Sequence, residues 1–253
     1  ITEYNMKLEH NGHNPSSQNL AQSLRGTLPR TSSERCMGTL DSKAAIPTTY
    51  SKPKQGQRKS KSVSRALRLS MTLNPQAPSN LHEAALFSWS IGLPLNKMLT
   101  IHMQKGGVEG REALEALQSF LQRVQRWLRK HGIELSAIWV RENGIGEGEH
   151  VHMLLHIPVA LMPLFPRMQA RWLKQSGVKR RKNVVRSRMV AHNKRAAETN
   201  PELYRFHLSN TVDYLRKATE PGQKGAGPIV GKRCGTTQNI GLAARCKHSL
   251  KHQ

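Results

Sequence analysis

The stretch Glu149-His150-Val151-His152-Met153-Leu154-Leu155-His156-Ile157 constrains this chain more than any other. Side chains on a β-strand alternate between faces, so His150 and His152 point one way. Val151, Met153, Leu155 and Ile157 point the other way and form a core face. The strand is therefore apolar on one side and carries imidazoles on the other, about 7 Å apart along its length. Two such rings can converge on one ion.

The surrounding pattern supplies the rest of a sheet. Leu81 to Ile91 reads as a short helix closed by Gly92 and Pro94, and Lys97 to Met103 as a first strand. Leu114, Leu117, Leu121, Val124 and Leu128 then make one apolar helical stripe that stops at Gly132. Ile133 to Arg141 reads as a second strand. The glycine-rich loop Glu142 to Gly148 joins it to the histidine strand as an antiparallel hairpin. Pro163 to Gln175 is expected as a helix, residues 178 to 190 as a further strand, and Pro201 to Thr219 as a last helix. This order predicts an α+β fold: a central antiparallel sheet with helices packed mainly on one face, leaving the other for ligand. Residues 1–78 lack apolar periodicity and carry the basic cluster Arg58-Lys59-Ser60-Lys61-Ser62, so they are expected as a disordered basic arm. Residues 79–220 form the expected core domain, and 221–253 a Gly-rich basic tail.

The hairpin brings a carboxylate to the imidazoles. Glu142 lies eight residues before His150, and together with His150 and His152 it makes a three-ligand set with open positions. Glu147 and Glu149 compete for the third place. Glu149 adjoins His150 and should face away, and Glu147 sits in the loop, so Glu142 is preferred. Two His and one carboxylate suit Mn²⁺ or Zn²⁺ by softness, while Mg²⁺ dominates by abundance. An open position on such an ion accepts a phosphate oxygen. His156 lies too far along the strand to share the ion, and His102 on the first strand is a possible neighbour. In the tail, Cys234, Cys246, His248 and His252 match no familiar zinc spacing.

A polyanion partner follows from charge. Forty Lys and Arg against 16 acids give a formal charge of +24, which points to nucleic acid but by itself to no chemistry. The block from Arg167 to Arg195 holds 11 Lys and Arg and no acid. Within it, Arg171, Lys174, Lys179, Arg180, Arg181, Lys182, Arg186 and Arg188 are the candidate DNA-tracking residues, and Trp172 is a candidate for stacking or for the core. Tyr214 is the candidate nucleophile, with Lys217 one helical turn later. A phenol attacks poorly unless a cation stabilises the phenolate and the phosphate is polarised. Tyr204 is a rival without a lysine at that spacing. No apolar run approaches the roughly 18 residues of a membrane span, and three cysteines suit a reducing, cytoplasmic setting.

Glu142, His150-Val151-His152 and Tyr214-Leu215-Arg216-Lys217 resemble the motif set of the HUH endonucleases. Within that superfamily the set is similar to the single-tyrosine rolling-circle replication initiators, and Met98-Leu99-Thr100-Ile101 is similar to their first motif. The similarity covers about residues 95 to 219. The resemblance implies a ferredoxin- or RRM-like HUH fold with the metal site on the open sheet face. It also implies nicking of single-stranded origin DNA through a 5′-phosphotyrosine, with Mg²⁺ or Mn²⁺ as cofactor. Tyr214 is then the nucleophile, Lys217 its helper, and Glu142, His150 and His152 the ligands. Histidines before tyrosine, and lysine at 217, favour an initiator over a single-strand transposase or mobilisation nickase. Many initiators carry a helicase domain. Here Gly227 to Arg233 is one residue short of a phosphate-binding loop, so unwinding is expected from a host helicase. The competing expectation is a non-catalytic nucleic-acid binder on the same sheet.

Overall fold

In the computed structural model, residues 68–217, 222–223 and 225–251 are described. The expected arm up to residue 67, with its basic cluster, lies outside them. Strand β1 (Leu69–Ser70) leads into α1 (Ala77–Ser90), which has Pro78 in its first turn where a missing N–H costs nothing. Next come β2 (Lys97–His102), α2 (Gly110–Arg129), β3 (Ala137–Gly144) and β4 (Gly148–Leu155). They are followed by α3 (Phe165–Gln175), β5 (Val185–Met189), the single turn α4 (Ala196–Thr199) and α5 (Pro201–Leu215). Short strands β6 (Ile229–Val230) and β7 (Cys234–Thr236) and helix α6 (Leu242–Ser249) complete the order. The Asn200 side chain accepts from Leu203 N–H at 3.1 Å and starts α5.

Five strands form one antiparallel sheet in the order β5-β2-β4-β3-β7, and β1 pairs separately with β6. The α+β expectation holds. On one face Leu99, Ile101, Trp139, Val151, Met153 and Leu155 bury against α2 and α3, including Leu117, Phe120 and Trp172. Full burial of each such side chain contributes about 1.5–3 kcal/mol. The other face is less open than expected. Met98, Ile138, Val140 and Leu154 pack there against α1 and α5 through Leu81, Tyr204, Leu208 and Val212. Each of these strands is apolar on both faces at that end, so both need a cover. Only the end carrying His150 and His152 lacks apolar residues on this face.

Several boundaries move. β3 starts at Ala137 and runs on through Glu142 to Gly144, because those residues pair with Gly148, Glu149 and His150. Gly146 and Gly148, at φ of 76° and 70°, allow the reversal in the few residues left. β5 is shorter than residues 178 to 190, since Asn183 adopts a positive φ and Lys179 N–H donates to Gly106 O at 2.8 Å. The expected tail is not an appendage. Its β7 pairs with β3 at Val140↔Cys234, Trp139↔Gly235 and Ile138↔Thr236, satisfying backbone groups an edge would expose. The Gly227 to Arg233 stretch contains β6 and no helix follows it directly, so it has no phosphate-loop geometry. Among the described residues no helix is long and apolar enough to cross a membrane.

One buried ion pair joins these parts. Arg141 and Glu149 are almost wholly inaccessible, on the core-side face of the hairpin. Arg141 donates from Nε to Glu149 Oε1 at 3.0 Å and from Nη2 to the same oxygen. It also donates to Val230 O at 2.7 Å, Lys232 O at 3.2 Å and Gly110 O at 2.6 Å, which uses all its guanidinium protons. Glu149 Oε2 accepts from Gly110 N–H at 2.6 Å, an anion at the start of α2. Glu149→Ala leaves a buried, unpaired guanidinium and is expected to cost about 3–5 kcal/mol. Urea unfolding monitored by tryptophan fluorescence measures it, and a loss below about 1 kcal/mol contradicts the assignment.

Candidate metal centre and its tyrosine

The hairpin register creates the site. Glu142 pairs directly with His150 across β3 and β4, and His152 pairs with Thr100 on β2. Alternation then turns Glu142, His150, His152, Thr100 and His102 to one face, away from the larger core. Ligand atoms of Glu142, His150 and His152 lie within 4.8 Å of one another, and all three residues are buried. His150 Nε2 is 3.3 Å and His152 Nε2 3.5 Å from Glu142 Oε2. Among the described residues this is the one group of three or more His, Cys, Asp or Glu so placed; Cys234, Cys246 and His248 make no such group.

The tautomers suit a cation. His150 Nδ1 donates to Gly148 O at 2.9 Å, which leaves the Nε2 lone pair facing Glu142. His152 Nδ1 is 2.9 Å from Thr100 Oγ1, and a donated N–H there leaves its Nε2 free as well. Both Glu142 carboxylate oxygens are buried without a hydrogen bond, a costly condition unless a cation compensates. Burial works to raise the Glu142 carboxyl, but His150, His152 and the Lys217 ammonium outweigh it and hold it down at about 2. Burial lowers His152 against the pull of Glu142, favouring a neutral ring. An ionised carboxylate and neutral imidazoles are the protonation states that ligation requires. The donor set therefore fits a divalent cation.

Tyr214 stands beside this group. Its ring lies 5.0 Å from that of His152, with the Lys217 ammonium 4.0 Å from its centroid. Lys217 Nζ is also 3.1 Å from Glu142 Oε2 and 3.5 Å from His152 Nε2. Burial lowers the Lys217 amine, yet Tyr214 and Glu142 overcome that and keep it above its ordinary value. Tyr214 is 42 % exposed and accessible to a strand. Tyr204 is not: it is buried, its hydroxyl donates to Leu95 O at 3.2 Å, and burial pushes its phenol up.

The other candidates divide. Glu147 is 3.9 Å from His150 Nε2 with its side chain 40 % exposed, whereas Glu149 faces the Arg141 pair. His156 Nδ1 donates to Pro94 O at 2.9 Å, a structural bond. Arg186 and Arg188 lie on exposed β5 in register with Thr100 and Met98, on the face of the metal group. Arg188 Cζ is 5.9 Å from the Tyr214 ring centre. Lys179, Arg180, Arg181 and Lys182 are exposed on the loop before β5. Arg171 and Lys174 point outward from α3, whose Trp172 and Leu173 enter the core on the opposite face. A continuous basic run in sequence is thus split between two sides of the sheet. Two neighbours escaped the sequence reading. Thr100 orients His152, and its register opposite that residue is the signal. His102 pairs with His150, their rings 5.2 Å apart.

Residues 96–219 match the family model of the replication-associated protein ORF2. That span contains Thr100, Glu142, His150, His152, Tyr214 and Lys217. No curated protein and no solved structure matches the chain.

Two outcomes are expected. Glu142→Ala or His152→Ala abolishes Mn²⁺ binding in calorimetry, while Thr100→Val weakens it about 10-fold to 100-fold; unchanged affinity in Thr100→Val would remove its orienting role. His102 is held down from 6.5 to about 4, first by burial and then by His150, Lys105, Arg186 and His152. Its unfolded form takes up a proton at higher pH, so its stabilisation is complete above pH 6.5 and lost as pH falls through about 4. Denaturant midpoints of metal-free protein should drop across that window, and less steeply in His102→Gln.

Proposed function

With residues 96–219 belonging to the replication-associated protein ORF2 family, we propose that this chain nicks and rejoins single-stranded DNA at an origin to initiate rolling-circle replication. The observation that carries the reading is one cluster: a metal-competent Glu-His-His group with a tyrosine ring 5.0 Å from His152 and an ammonium between them. Glu142, His150 and His152 would hold Mg²⁺ or Mn²⁺, which when bound polarises a phosphate oxygen as a Lewis acid.

The chain's own groups do the remainder. The Tyr214 oxygen attacks phosphorus, a bond to the phenol oxygen forms, and the bond to the departing 3′ oxygen breaks. The phenolic proton passes to water, which reaches the exposed ring, and the 3′ oxygen takes a proton from solvent. Lys217 stabilises the developing phenolate, since its charge lies 4.0 Å from the ring centre. A phosphotyrosine retains a phosphoester bond of similar energy, so attack by a 3′ hydroxyl reverses the step. Arg186 and Arg188 guide the strand's phosphates across the open end of the sheet, and Lys179 to Lys182 extend that path. Strand separation comes from a separate helicase, and the setting is the cytoplasm.

Labelled single-stranded origin DNA and Mn²⁺ should yield a covalent adduct that survives denaturing electrophoresis. Tyr214→Phe should abolish it, and Lys217→Ala should slow it by about 100-fold. Salt-sensitive binding with no adduct from the unaltered chain would leave a binding protein without chemistry.

A further inference from the structure

A cleft of about 950 Å³ separates the β3–β4 hairpin tip from the segment that follows the tyrosine helix. Its volume is in the range of sites that enclose an organic ring system. Glycines wall it: Gly144, Gly146 and Gly148 on the hairpin, Gly225 and Gly227 opposite. The crowding beneath explains the glycine at 225. A Cβ there would lie 2.5 Å from Glu142 Oε2, and its φ of +95° is closed to other residues. The wall is anchored. Asn143 N–H donates to Gly225 O at 3.3 Å, Asn143 Nδ2 to Pro228 O at 2.9 Å, and Arg233 Nη2 to Ser70 O at 2.7 Å and to Gly227 O.

The cleft is continuous with the metal group. Glu147 lines it and is also 3.9 Å from His150 Nε2, and Gly225 backs directly onto Glu142. Lys105 adds a cation to its lining. Walls of bare backbone leave a slot without projecting side chains, a shape suited to a flat ring. The +24 charge of the chain selects a polyanion as the molecule that brings such a ring.

We propose that this cleft receives one base of the DNA strand, from a nucleotide adjoining the phosphodiester that Tyr214 attacks. The inference rests on the strand-nicking reading above and adds to it the element that sets the strand's position. A seated base holds its own phosphate near Glu142, His150 and His152, and Lys105 meets the backbone on the outer side. Positioning then comes from the chain downstream of the tyrosine helix, outside the segment shared with the family.

The test uses the full chain carrying Tyr214→Phe, so that no bond is cut. Fluorescence anisotropy compares an oligothymidylate of about 15 nucleotides with an abasic oligomer of equal length, which keeps the phosphates and lacks the bases. The ratio of the two Kd values is measured again after adding Ala226→Trp, which fills the cleft without touching a metal ligand. The preference for the base-bearing oligomer should fall roughly fivefold or more. Tight binding with an unchanged ratio overturns this proposal alone, and binding of neither oligomer overturns the nicking reading with it. If Ala226→Trp fails to fold, photocross-linking of 4-thiothymidine oligomers to the Tyr214→Phe chain decides. Adducts within 143–148 or 222–228 support the cleft, and adducts confined elsewhere overturn it.

Discussion

The register of one hairpin governs this molecule. Glu142 faces His150 because β3 and β4 pair as they do, and a slip of one residue would send every ligand to the core face. Apolar burial enforces that register: Val151, Met153 and Leu155 need the interior, and Trp139 and Ala137 need it with them. The Arg141–Glu149 pair adds a polar lock at the same end, since neither charge tolerates burial without the other. The same alternation that seats the core thus aims the carboxylate and both imidazoles at one point.

That arrangement stores an electrostatic conflict. Glu142 is fully buried, its oxygens lack hydrogen bonds, and only Lys217 and two histidines offset its charge. A site tuned for stability alone would not leave it so. Such unsatisfied groups accumulate where function requires them, with the surrounding fold bearing the cost. Lys217 is the shared element. It touches Glu142, His152 and Tyr214 from one position, so the end of α5 is electrically tied to the sheet.

Much of this was legible in residue order. Period-two alternation placed His150 and His152 together, and period-3.6 spacing identified α2 and its faces. The order of elements predicted an antiparallel α+β sheet. Where the reading stopped, the cause was pairing between distant segments. Glu142-Asn143-Gly144 has loop composition and becomes strand only because β4 pairs with it. Cys234 to Thr236 sits in a glycine-rich stretch and becomes strand only because β3 has a free edge. The basic run from Arg171 to Arg188 reads as one surface until α3 and β5 are found on different sides of the sheet.

The sequence by itself therefore determined which residue types could ligate, attack and carry charge, because local periodicity dictates which side chains share a face. Only the tertiary structure decided that Tyr214 and Lys217, more than 60 positions from His152 in the chain, come to rest beside it. It also decided that Tyr204 is sealed away, that helices cover both faces of the sheet, and that Gly225 closes over Glu142. Those outcomes depend on how separate elements pack against one another, and no periodicity within a single segment encodes them.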